Sequence, residues 1–333
     1  MESNSNSNNT DIELNNINDN SNLSINNNNN GTRVISRNNS TTPKITENYH
    51  TTVGENVEPE KEKQLTWNEK FKKILGLDEL RSKKMYQGVI IEFIGTIIYV
   101  FISVSIVVSC VNYYVYSADY NANSPLQVIL NTPDSVISPK LTITVALAHI
   151  IVLGLMILTT TPHSGGHLNP TFTIASCLTG FTPVFRTIFY VFAQLTGSII
   201  GSALVKSMLP DFISERSVLG ACLYGNSMTT SGVIVGEFLF TSFNLFVAFN
   251  MGSGYSKLVP PFIISSTLAV SFVGAQGLIN NYFGPGVNIA RCFGPAVVMH
   301  DLSSFWVFVV GPLMACVFIS LVNHIVPPHS DYK

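Results

Sequence analysis

Ser164-Gly165-Gly166-His167-Leu168-Asn169-Pro170-Thr171 and Gly284-Pro285-Gly286-Val287-Asn288-Ile289-Ala290-Arg291 share one plan: a glycine-bearing approach, an asparagine, then about ten mainly apolar residues. A segment of that length cannot cross a hydrocarbon core, which takes roughly 20 helical residues. Each is read as a half-helix dipping into the membrane, its irregular approach shielded by protein. Asn169 and Asn288 are then N-caps, and Pro170 falls in the first helical turn, where a missing N–H costs nothing. Two helix N-termini meeting at mid-depth each carry about half a positive charge. The space between them repels cations and protons, while the asparagine amides can still donate to an uncharged oxygen.

Outward from these stretches lie six apolar runs long enough to span, at about 86–110, 141–160, 185–207, 232–251, 258–279 and 303–326. Gly88-Val89-Ile90-Ile91-Glu92-Phe93 opens the first and Gly232-Val233-Ile234-Val235-Gly236-Glu237-Phe238 the fourth, which indicates an internal duplication. Three spans per copy make the second copy enter from the opposite side, the inverted repeat by which transport proteins place a site at mid-membrane. The expected fold class is an all-α membrane protein of six transmembrane helices plus two re-entrant half-helices. Gly197-Ser198-Ile199-Ile200-Gly201 offers a small-residue face for close helix approach.

The remainder is of another character. Residues 1–85 carry 11 of the 18 Lys and Arg and 12 of the 20 Asp and Glu. The first 30 residues hold 14 Asn and no aromatic, so 1–64 is expected to be a disordered cytosolic tail without a cleavable leader. Its sequons, Asn22-Leu23-Ser24 and Asn30-Gly31-Thr32, then go unused. Over 65–84, Trp67, Phe71, Ile74 and Leu75 recur at helical spacing among Lys70, Lys72, Lys73, Arg81, Lys83 and Lys84. That pattern suits a short amphipathic helix on an anionic lipid surface, or a solvated basic linker. The same charges put the N-terminus in the cytosol, and an even number of spans returns residues 327–333 there. A net charge of −2 without a long basic run argues against nucleic acid as a partner. Cys110, Cys177, Cys222, Cys292 and Cys316 show no metal or paired spacing and are expected to be reduced structural thiols.

Taken together, these motifs resemble the aquaporin family, whose mark is a pair of Asn-Pro-Ala half-helices; the likeness covers residues 86–326. Glu92, Glu237, Ala193-Gln194, Gly311-Pro312, and Ala290-Arg291 followed by Phe293-Gly294-Pro295 support it. The resemblance implies a right-handed bundle, one pore per chain, a homotetramer in the lipid bilayer, and neither cofactor nor metal. The chain departs from the pattern at two motif positions, with Thr171 in place of Ala and Ile289 in place of Pro. Neither removes an asparagine donor, but Ile289 loses the fixed backbone angle of proline and adds branched bulk.

By the same resemblance, Asn169 and Asn288 form the pore constriction and His149, Gln276, Pro285 and Arg291 the selectivity filter. Glu92 and Glu237 accept hydrogen bonds from the backbone of the re-entrant loops, although alone they would read as proton-relay candidates. Water-selective relatives usually carry Phe at His149 and His at Gln276, so this filter is more polar. His149 has two readings, a titrating group that repels Arg291 when charged and a neutral ring bonded to a neighbour. Ser36 and Thr66 are candidate phosphosites beside basic residues. The implied function is passive water transport, possible gating being assigned to the tail or to pH. The alternatives are a channel for ammonia, urea, hydrogen peroxide or, less favoured, glycerol, and a closed tetramer with a structural or regulatory role. An enzyme is disfavoured because no nucleophile, base and oxyanion donors cluster near an aqueous face. Plasma membrane and osmoregulatory vacuole fit equally.

Overall fold

The structure, a computed structural model, describes residues 23–27, 33–37, 66–114, 139–225, 228–251, 256–278 and 285–327. The chain divides into two units, Met1–Lys63 and Gln64–Lys333. In the first, β1 (Leu23–Asn27) and β2 (Arg33–Arg37) pair antiparallel, with Leu23 opposite Arg37 and Asn27 opposite Arg33. Asn-rich composition predicts no regular structure here, so this ladder departs from expectation. Leu23, Ile25, Val34 and Ile35 favour strands locally, and an average over 30 residues hides them. The rest of the expected tail, and residues 328–333, lie outside the described residues.

The second unit is helical among its described residues. It opens with α1 (Trp67–Leu75) and a 3₁₀ turn over Leu77–Arg81. Then follow α2 (Lys83–Tyr114), α3 (Pro139–Ser164), half-helix α4 (Pro170–Leu178), α5 (Val184–Met208) and the short α6 (Asp211–Ser217). The second repeat supplies α7 (Thr230–Asn250), α8 (Val259–Leu278), half-helix α9 (Ile289–Val298) and α10 (Val307–Ile325). Five of these, α2, α3, α5, α7 and α10, are long and apolar enough to cross a bilayer. The sixth expected span, the apolar run at about 258–279, is α8, a helix of 20 residues. α10 starts later than the apolar run because turns closing Phe305 on Leu302 and Val307 on Ser304 precede it.

Packing repeats between the halves. α2 lies against α5 as α7 lies against α10, and each half-helix packs on the last span of the opposite repeat, α9 on α5 and α4 on α10. Since lipid tails are as apolar as leucine, these contacts depend on close fit and internal hydrogen bonds. The small face of α5 supplies the fit: a Cβ at Gly197 would stand 2.7 Å from the Phe93 carbonyl oxygen, and one at Gly201 would stand 2.6 Å from that of Ile97. Apolar stripes such as Ile90, Ile94 and Ile98 on α2 and Leu147, Ile151 and Leu155 on α3 are exposed, while Glu92, Gln194, Ser198 and Glu237 are fully buried. Polar inside and apolar outside is the arrangement a bilayer demands.

Candidate functional site

The two half-helices are held by buried carboxylates. Glu92 on α2 accepts from the Leu168 amide at 2.7 Å, the His167 amide at 3.0 Å, Ser164 Oγ at 2.6 Å and Gln194 Nε2 at 2.8 Å. Glu237 on α7 accepts from the amides of Gly286 at 2.7 Å and Val287 at 3.2 Å. All of these partners are donors, an arrangement a carboxylate satisfies without a proton of its own. The held residues need the help. Leu168 (φ 49°) and Val287 (φ 51°) are left-handed, a region costly for a branched side chain, and each immediately precedes its asparagine.

Those turns aim Asn169 and Asn288 at each other. Each caps its own helix, Asn169 Oδ1 accepting from the Thr171 amide at 2.8 Å and Asn288 Oδ1 from the Ala290 amide at 2.9 Å. Each then donates across, Asn169 Nδ2 to the Val287 carbonyl at 3.3 Å and Asn288 Nδ2 to the Leu168 carbonyl at 3.0 Å. An amide nitrogen has two hydrogens, so each keeps one for a third partner. Beside them lies a cavity of about 90 Å³, space for several waters. Its lining combines Gly165, Gly166, His167 and the two asparagines with the apolar Leu153, Ile157, Leu245, Ile264 and Leu268. Thr171 lines it with a buried Oγ1 that has no hydrogen-bond partner in the structure, whereas Ile289 is buried elsewhere and α9 begins without proline. The bulk expected from Ile289 therefore does not line this cavity.

Of the other expected filter residues, Arg291 is buried in the first turn of α9, and its Nη1 donates to Cys222 Sγ at 3.3 Å. His149 is buried on α3 with both ring nitrogens engaged, Nδ1 with the Val145 carbonyl at 2.8 Å and Nε2 with Ser103 Oγ at 2.7 Å. A carbonyl can only accept, so Nδ1 carries a hydrogen, while Nε2 and the serine hydroxyl share the second bond. Pro285 is buried in the loop before α9. Gln276 falls in the last turns of α8, and its side chain lies outside the described residues.

The cysteine expectation is corrected: Cys222 and Cys292 are joined as a disulfide, leaving Cys110, Cys177 and Cys316 free. The two are 70 residues apart, and only the fold brings them together. Tyr99 and Thr241, which also line the cavity, were likewise not marked by any motif, because helical rotation decides which side chains face it. Thr66 caps α1: its amide and hydroxyl both donate to Glu69 Oε2 at 2.8 Å, holding that carboxyl below its ordinary range. Trp67, Phe71 and Ile74 are exposed on α1, and Ser36 sits in β2 opposite Ser24.

The sequence pattern of the Major intrinsic protein family matches residues 79–323. Aquaporin-5 of Ovis aries is 33% identical over 190 residues, covering 56% of this chain and 70% of that protein. Aquaporin-5 of Mus musculus is 29% identical over 247 residues, covering 73% and 82%, and aquaporin-8 of Notomys alexis 32% over 203 residues, covering 59% and 73%. The X-ray structure of the aquaglyceroporin from Plasmodium falciparum matches with a TM-score of 0.56 over 73% of this chain and 96% of that one; at 19% identity the two share the fold. With matched half-helices, crossed asparagines and a family pattern over most of its length, the chain belongs to the aquaporin, or major intrinsic protein, family, a multi-pass membrane family whose members are channels for water or small solutes.

Proposed function

We propose that this protein is a passive water channel driven by osmotic gradients. The crossed asparagine pair carries the reading. Each amide spends its oxygen on its own helix and one hydrogen on the opposite carbonyl, so a second hydrogen remains on each, which on Asn288 also has the Tyr99 hydroxyl as a partner, to meet one passing water oxygen. A lining that mixes few polar groups with many apolar ones lets water move without being held. The two helix N-termini and Arg291 repel cations, and the constriction and filter roles of Asn169, Asn288, His149, Pro285 and Arg291 follow from that division of labour.

The disulfide supports an orientation. α5 spans 25 residues, about 37 Å, between the Val184 end next to α1 and the Val205 end packed on Leu219, three residues before Cys222. A disulfide persists on an oxidising side, so α1 and the N-terminus face the cytosol and the 209–230 loop faces outward or into a lumen. Four copies side by side make the proposed assembly. A second reading enlarges the solute set: a buried, polar His149 favours ammonia or urea as additional permeants.

Stopped-flow shrinkage of proteoliposomes, with the full chain and with one lacking residues 1–62, tests the proposal. Fast osmotic shrinkage well above empty liposomes is expected from both. Equal rates place conduction in the second unit alone, and a faster shortened chain assigns gating to the tail. Rates matching empty liposomes in both would remove water as the permeant, and parallel ammonia and urea uptake would decide the second reading.

A further inference from the structure

Arg291 is held in an unusual way for a membrane-buried cation. The residue is 6% exposed; its Nη1 donates to a disulfide sulfur, Cys222 Sγ, at 3.3 Å, and its buried Nε meets no acceptor in the structure. The other half of the same disulfide, Cys292, is the next residue along α9 and fully buried. Cys222 comes from a segment that reaches the site through three consecutive left-handed residues, Val218 (φ 47°), Leu219 (φ 48°) and Gly220 (φ 61°). Two of these have side chains that disfavour that conformation, so the segment stays there because it is held. Leu219 is buried against α2 residues Val100 and Val104, and the disulfide ties the segment's far end. On its other side the bridge touches the filter loop, where a Cβ at Gly286 would stand 2.7 Å from Cys292 Sγ. One covalent bond therefore joins the outer loop to the half-helix beside Arg291, and its Cys292 sulfur packs against Gly286, the neighbour of Pro285.

We propose that Cys222, through its disulfide with Cys292, is the positioning residue of Arg291 and so a determinant of which neutral solutes pass. The sulfur accepts one N–H of a planar fork and thereby fixes the plane of the whole guanidinium, leaving other donors directed at the permeant. With the bridge opened, the 218–222 segment is released from α9, the fork loses its fixed plane, and the mouth widens for solutes larger than water. The permeation part rests on the pore reading above; the positioning of Arg291 does not.

The experiment uses the full chain before and after dithiothreitol, which gives two hydrogens to the bridge sulfurs and closes to its own cyclic disulfide. Non-reducing peptide mapping is expected to find the Cys222 and Cys292 peptides linked. On reduction, the urea-to-water permeability ratio in proteoliposomes rises several-fold, and methylglyoxal modification of Arg291 in detergent, followed by mass spectrometry, speeds up several-fold. Cys222→Ser with Cys292→Ser should behave as the reduced protein, and the triple variant Cys110→Ser, Cys177→Ser, Cys316→Ser as the oxidised one. Unlinked peptides, or a linked bridge whose reduction leaves Arg291 modification unchanged, overturns the proposal. An unchanged permeability ratio with faster modification overturns the selectivity claim. If no form passes water the pore reading falls, and the modification rate still decides whether the bridge positions Arg291.

Discussion

At the scale of single residues, Glu92 accepts four hydrogen bonds in the site. It satisfies two backbone amides in a turn where Leu168 is left-handed, together with Ser164 and Gln194. Glu92→Gln swaps one acceptor oxygen for a donor amide, so at least one buried N–H loses its partner at a cost of about 1–3 kcal/mol. The melting temperature in detergent should fall, while water flux per folded molecule stays indifferent to an imposed proton gradient. An unshifted melting curve, or flux that follows the gradient, would return Glu92 to a relay role. This residue and the asparagines were legible in the sequence because the duplication prints each twice. The Cys222–Cys292 bond was not, since a separation of 70 residues carries no information about proximity. Nor was the bond from His149 to Ser103, which depends on how α3 is rotated against α2.

Among the elements, the contact of α2 with α5 bears most directly on the site, because Glu92 and Gln194 meet across it. Gly197 admits the Phe93 carbonyl at a distance no side chain tolerates. Gly197→Leu should push the helices apart and cost about 1–3 kcal/mol or more, with Gly197→Ala milder. Size-exclusion yield of folded protein and its melting temperature measure this; a leucine variant matching the wild type would mean that the helices are not held by close approach. The small-residue face and the half-helices could be read in advance, since both follow from length and side-chain size. The half-helix C-termini could not: Lys206 donates to the Val298 carbonyl at the end of α9, and His324 meets that of Leu178 at the end of α4. These basic groups stabilise the negative ends of the dipoles, but each comes from a span distant in sequence.

For the whole molecule, the inverted repeat was legible from two matched openings and two matched caps, and composition alone concealed the β1–β2 hairpin in the first unit. The repeats are more than copies, because each completes the other. Asn169 donates to Val287, Asn288 to Leu168, and each half-helix lies on the opposite repeat's last span. Translation reaches residue 169 long before residue 287, so the newborn first repeat holds in the membrane a carbonyl and an amide whose partners do not yet exist. It should therefore remain unfinished, and open to quality-control proteases, until the ribosome has released the second. A chain ending at residue 225 is expected to be short-lived in a pulse-chase measurement, and co-expression of residues 226–333 to lengthen its life. Equal lifetimes with and without the second piece would show that the first repeat matures alone. By this logic the crossed asparagines serve as a completeness check during biogenesis, marking a finished chain apart from an interrupted one.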